Sequence, residues 1–329
     1  MPRLSSSDYH APFWFRTGHG QTVGTILLRR SPGLSLRREI VETPDDDFFE
    51  VDFSVGAGEK KGIAIVSHGL EGNSKRAYML GMCRAARELG LDCALRNFRG
   101  CGERMNRRPF LYHSGQTNDL HTLVEYCRDL GYPRILLIGF SMGGNQTLKY
   151  LGERPEVVPP EVRAAAVFSV PVDLFSCARV LDKPSNSLYM WYFLRTLRRK
   201  VREKHQLFPN LYPLHGLERI RTFAEFDQRY TAPLNGFASA EDYWRRASSL
   251  PFLENIAVPT LLVNARNDPF LAPPCFPEEE AARSVFLHLE TPEEGGHLGF
   301  LTAPARPLWS ERRAMEFLRA HMDERLVSG

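Results

Sequence analysis

With 43% hydrophobic and 25% charged residues, this chain of 329 residues has ordinary globular composition and enough length for a large core. Its 42 Lys and Arg against 39 Asp and Glu leave a net charge of only +3, too little for the broad basic field of a nucleic-acid-binding protein, so a polyanion partner is excluded.

Residues 36–42 and 47–53 flank an acidic turn and predict a hairpin at a sheet edge. Near-continuous apolar runs follow at 62–67, 92–97, 134–139 and 164–169, and again at 260–264 and 285–289, as expected of strands buried on both faces of a parallel sheet. Amphipathic stretches at 75–89, 117–130 and 145–151 lie between them, and another closes the chain at 310–322. Strand and helix in alternation predict right-handed βαβ units, hence an α/β fold with a mostly parallel twisted sheet flanked by helices. The alternation stops over 171–251, where helical periodicity and aromatic residues persist without a strand. A loop of that length without structure would be anomalous in a compact domain, so a helical cap is expected there, with the core formed by 1–170 and 252–329.

Six cysteines stand singly, without the short paired spacings of metal sites or redox dithiols, and each reads as a small buried hydrophobe. The first nine residues are polar and no apolar run approaches ~18 residues, so a soluble, cytoplasmic protein with reduced thiols is expected.

The strand at 134–139 runs into Gly139-Phe140-Ser141-Met142-Gly143 and then a helix. In that setting a G-x-S-x-G pattern reads as a nucleophile elbow: the serine sits on a strained turn, and flanking glycines remove the side chains that would clash. A nucleophilic serine needs a base and an acid to orient the base, in the chain order Ser, Asp, His. Asp268 follows the strand at 260–264, and His297, in Gly295-Gly296-His297-Leu298-Gly299, follows the last one. Asp173, after the strand at 164–169, is the rival acid. An oxyanion hole requires two backbone N–H donors; Met142, after the nucleophile, supplies one, and Leu70 in His68-Gly69-Leu70-Glu71-Gly72 supplies the other. His68 is expected to brace that loop.

These motifs, together with Gly18-His19-Gly20-Gln21-Thr22, Asn97-Phe98-Arg99-Gly100, Tyr112-His113-Ser114-Gly115 and Thr231-Ala232-Pro233-Leu234-Asn235-Gly236-Phe237, resemble the α/β-hydrolase superfamily. Within it they resemble the YheT-like branch of embryogenesis-associated hydrolases and mammalian α/β-hydrolase-domain phospholipases and lipases. The resemblance implies hydrolysis of carboxylic or lipid esters with no metal or organic cofactor, with Ser141, Asp268 and His297 as triad and Arg99 and Gly100 bracing the site. Small-molecule esters, short- to medium-chain or monoacylglycerol-like, are the expected substrates. Thioesters or peptides could use the same triad, and a silent ligand-binding scaffold is the non-enzymatic alternative. Trp191, Tyr192 and Phe193 are expected to line an acyl pocket or to pack the cap on the core. Arg195, Arg198, Arg199, Lys200, Arg202 and Lys204 form a basic run that reads either as a solvated helix face or as a transient dock for an anionic membrane surface.

Overall fold

The computed structural model describes residues 7–322 except 30, 32 and 303–306. A helix absent from the sequence reading, α1 (Gly18–Leu28), precedes the sheet; Thr17 caps it by accepting from the Gly20 N–H. Strands β1 (Arg37–Thr43) and β2 (Asp47–Ser54) form the expected hairpin, with Asp46 at φ 60° in its turn. Then alternate β3 (Ile63–Ser67), α2 (Ala77–Glu88), β4 (Asp92–Arg96), α3 (Asn118–Asp129), β5 (Ile135–Phe140), α4 (Met142–Glu153) and β6 (Val162–Phe168).

The sheet order is β1-β2-β4-β3-β5-β6, extended by β7 (Thr260–Val263) and β8 (Leu287–Glu290). Only the β1–β2 and β2–β4 pairs are antiparallel. Side chains of β3 alternate between the two faces. Ile63 and Ile65 join a core with Leu120 and Leu123 of α3 and Leu148 of α4, while Ala64 and Val66 join a second core with Met79 and Met82 of α2. The sheet is therefore covered on both sides, which is why its strands read as continuous apolar runs.

Between β6 and β7 lie α5 (Leu174–Leu181), α6 (Ser187–Leu207), α7 (Phe223–Phe226), α8 (Ala232–Leu234) and α9 (Ala240–Ala247), with no strand among the described residues. They share an apolar core of their own, including Met190, Leu194, Val201, Phe226, Tyr230 and Trp244. Helices α10 (Glu278–Arg283) and α11 (Trp309–His321) complete the fold, α11 packing Trp309, Phe317 and Leu318 beside α2. All six cysteines are buried and unbridged. No described helix is long and apolar enough to cross a membrane.

Candidate active site

Ser141 sits between β5 and α4 with φ 53° and ψ −120°, a conformation that costs a non-glycine residue on the order of 1–3 kcal/mol. The surroundings hold it there. A Cβ on Gly139 would lie 2.6 Å from Gly144 Cα, and one on Gly143 would lie 2.5 Å from the His68 carbonyl oxygen, so both positions depend on glycine for the approach of strand, helix and loop. Although Ser141 occupies the N-cap position of α4, its hydroxyl makes no cap bond. It instead lies 3.0 Å from His297 Nε2.

His297 and Asp268 meet across the carboxyl ends of the last two strands. His297 Nδ1 is 2.9 Å from Asp268 Oδ2 and 3.2 Å from Oδ1, and Oδ1 also accepts from the Phe270 N–H at 2.9 Å. With Nδ1–H donated to a carboxylate, Nε2 is the acceptor for the Ser141 hydroxyl, a tautomer assigned from the network. Asp173, the rival acid, is engaged elsewhere: it caps α5, accepting from the Ser176 N–H at 3.1 Å.

The loop carrying His297 is strained, with Gly296, Leu298 and Phe300 at φ 57°, 59° and 45°. Four bonds hold it. The His297 N–H donates to Thr22 Oγ1 at 2.9 Å, Gly296 N–H to Asn267 Oδ1 at 2.9 Å, Leu298 N–H to Ser169 Oγ at 3.0 Å and Leu301 N–H to Gln21 Oε1 at 3.0 Å. Helix α1 thus latches the histidine loop, and a Cβ on Gly18 would overlap the Asn267 carbonyl oxygen. Sequence reasoning noted the Gly18–Thr22 motif without seeing this role, and it missed Ser169 altogether; the only signal was the motif's place in the resemblance.

The loop after β3 approaches from the other side, where a Cβ on Gly69 would lie 3.1 Å from Ser141 Cβ. His68 braces it as expected: Nδ1–H donates to the Gly69 carbonyl at 2.7 Å, and Nε2 accepts from the Phe98 N–H at 3.1 Å. Burial pushes its pKa down to about 3, so the imidazole is neutral. Glu71 stands at φ 54°; its N–H donates to Tyr112 Oη, and its carboxylate accepts from Lys200 of α6 at 2.7 Å. Leu70 and Met142 both border the cavity beside Ser141, and Met142 opens α4, where backbone N–H groups have no intrahelical acceptor. Arg99 is locked in paired contacts with Asp119 at 2.9 and 2.7 Å and with Asp45 at 2.7 and 3.0 Å.

A cavity of about 130 Å³ opens on Ser141 and His297, walled by Leu174, Phe193, Leu197, Phe226, Trp244 and Phe270 among others. Two expectations are corrected here. Of the aromatic run only Phe193 lines this space. Trp191, 53% exposed, lies under Arg195, and Tyr192 accepts from Arg76 at 2.9 Å, because a helix turns about 100° per residue and directs 190, 194 and 197 inward. The basic run also does not form one outward face. Arg198, Lys200 and Lys204 are buried, Lys204 donating to the Asn106 carbonyl at 3.0 Å, while exposed Arg199 and Arg202 are matched by Glu203 and Glu218. Three of the six, Arg195, Arg199 and Arg202, thus remain on the exposed side of α6. Among the described residues no group of three His, Cys, Asp or Glu is arranged to hold a metal ion.

Residues 65–304 match the family model described as alpha/beta hydrolase fold. YheT of Escherichia coli (strain K12) is 31% identical over 326 residues, covering 97% of this chain and 95% of that protein. Human phospholipase ABHD3 is 31% identical over 331 residues, covering 97% of this chain and 80% of its own. Esterase Pf2001 of Pyrococcus furiosus shares the fold at a TM-score of 0.61 and 17% identity, over 88% of this chain and 92% of that one. Fold, family model and relatives agree: the chain belongs to the α/β-hydrolase family, as an esterase- and lipase-type member of the branch that contains YheT and phospholipase ABHD3.

Proposed function

We propose that this protein hydrolyses carboxylic esters of short- to medium-chain acyl groups, monoacylglycerol-like lipids included, through an acyl-enzyme on Ser141. The observation that carries the reading is the unbroken chain Ser141 Oγ, His297 Nε2, His297 Nδ1, Asp268 carboxylate, with links of 3.0 and 2.9 Å. Ser141 Oγ attacks the ester carbonyl carbon while His297 Nε2 takes its proton, and the Asp268 carboxylate faces the imidazolium so formed. The Leu70 and Met142 N–H groups hold the oxyanion, a role in which losing one donor removes about 3 kcal/mol of stabilisation. Collapse breaks the C–O bond, and the departing alkoxide takes the proton from Nε2. Water, deprotonated by His297, then attacks the acyl carbon; collapse frees the acid and returns the proton to Ser141.

The helices of 171–251 act as a cap over this site, held between core segments 1–170 and 252–329. A cavity of about 130 Å³ is close to the engineered apolar cavity of about 150 Å³ that binds benzene, which supports a single short acyl group as occupant. The test is labelling by a fluorophosphonate probe, together with turnover of p-nitrophenyl esters. Wild type should label and turn over, whereas Ser141→Ala should fold, fail to label and lose several orders of magnitude in kcat. An unlabelled wild type would identify a silent scaffold, and activity within tenfold of wild type in Ser141→Ala would remove Ser141 as nucleophile.

A further inference from the structure

The cavity contains a carboxylate that acyl transfer does not use. Asp227 opens a single π-helical turn, Asp227–Thr231, between α7 and α8. Such turns are rare and concentrate at functional sites. The half-buried Asp227 borders the same cavity as Ser141 and His297, among Phe223, Phe226 and Leu174. Oδ1 accepts from Thr231 Oγ1 at 2.6 Å and Oδ2 from Trp244 Nε1 at 2.8 Å. Those are two bonds for a group with about four lone-pair sites. Among the described residues no Lys or Arg pairs with it, and burial outweighs both bonds to lift its carboxyl to about 6.

We propose that Asp227 is the specificity-determining residue of the cavity and accepts a hydrogen bond from a substrate hydroxyl, selecting hydroxylated esters over plain alkyl ones. A hydroxyl suits this position better than an ammonium, because it needs one acceptor where a buried ammonium has three donors to satisfy. Thr231 and Trp244 already engage the carboxylate, so a substrate lacking the hydroxyl leaves it solvated rather than orphaned. The discrimination is therefore about ten- to hundredfold, the range of one hydrogen bond to a charged acceptor. The hydroxyl can belong to the acyl chain or to the alcohol, and the inference rests on the ester-hydrolase reading of Ser141.

The experiment compares two matched pairs on the full chain: p-nitrophenyl hexanoate with its ω-hydroxyhexanoate, and pentyl acetate with ω-hydroxypentyl acetate. Wild type should favour the hydroxylated member of one pair about ten- to hundredfold in kcat/KM, chiefly through KM, and the pair that responds locates the hydroxyl. In Asp227→Leu, which offers no acceptor, that ratio should fall toward one, whereas Thr231→Val, which keeps the carboxylate, should retain the preference. A wild-type ratio near one in both pairs, or a ratio that survives Asp227→Leu, overturns the assignment. The wild-type ratio decides even if Asp227→Leu is unstable. Turnover of plain esters without preference defeats Asp227 alone; failure to cleave any of the four defeats the ester-hydrolase reading with it.

Discussion

At the scale of single residues, the two carboxylates that compete for His297 offer a sharp comparison. Asp268 lies on Nδ1, and Asp173 spends its acceptors on the first turn of α5. Asp268→Asn should therefore lower kcat by on the order of 10⁴, since the amide favours the wrong tautomer of His297. Asp173→Asn should lower it by less than tenfold, and steady-state turnover of one p-nitrophenyl ester on both variants checks the ranking. The elbow and its partners were legible because their requirements are local: glycines at fixed offsets, a strand before and a helix after, an acid and a histidine after later strands. Thr22 and Ser169 were not, because an isolated Thr or Ser looks the same whether it faces water or holds an amide 275 or 129 positions away.

Among elements, α6 shows the gap between recognising a helix and orienting it. Its 21 residues carry aromatic and basic side chains on several faces, and long Lys and Arg stems bury readily, so composition does not reveal the inward face. Phe193, packed against Phe223 and Phe270, is the residue of the aromatic run that the helix turns toward the cavity, and we propose it as the acyl wall. In wild type, kcat/KM should rise roughly fourfold per buried methylene, about 0.8 kcal/mol each, up to the cavity limit and then fall. Phe193→Ala should flatten that series and the outward Trp191→Ala should leave it intact, as p-nitrophenyl esters of graded length would show. The same helix ties the insertion to the core through Lys200 and Glu71, both buried. Lys200→Met would strand the Glu71 carboxylate and should cost about 3–5 kcal/mol, read as a drop in Tm. Lys200→Met with Glu71→Gln should recover part of that loss; an equal or larger loss would mean the pair does not hold the two parts together.

For the whole molecule, the alternation of runs was enough to foresee the parallel part of the sheet, because both of its faces are covered and strands such as β3, β5 and β6 are built mostly of apolar side chains. Helix α1 escaped notice because Val23, Ile26, Leu27 and Leu28 are exposed and present no ordinary inward stripe. Stability as a function of pH is also a property of the whole. His68 and His113 have pKa values lowered to about 3 and 4, principally by burial, so they remain neutral in the fold but protonate near 6.5 once unfolded. Their contribution is complete above about 6.5 and is lost as pH falls toward those folded values, at up to ~1.4 kcal/mol per proton per pH unit. Asp227, raised to about 6, acts in the opposite sense below that pH and offsets one of the two. The urea midpoint should therefore be lower at pH 5.5 than at pH 7.5, and an unchanged midpoint would mean that the two imidazoles are not held neutral. The latch of α1 on the histidine loop has a consequence in time. Thr22 is made 275 residues before His297, so the proposed proton relay cannot be assembled until both segments and everything between them exist and have met. A nascent chain that stops short of His297 would hold a formed elbow without the proposed base, and ester cleavage would report docking of the histidine loop rather than formation of the sheet.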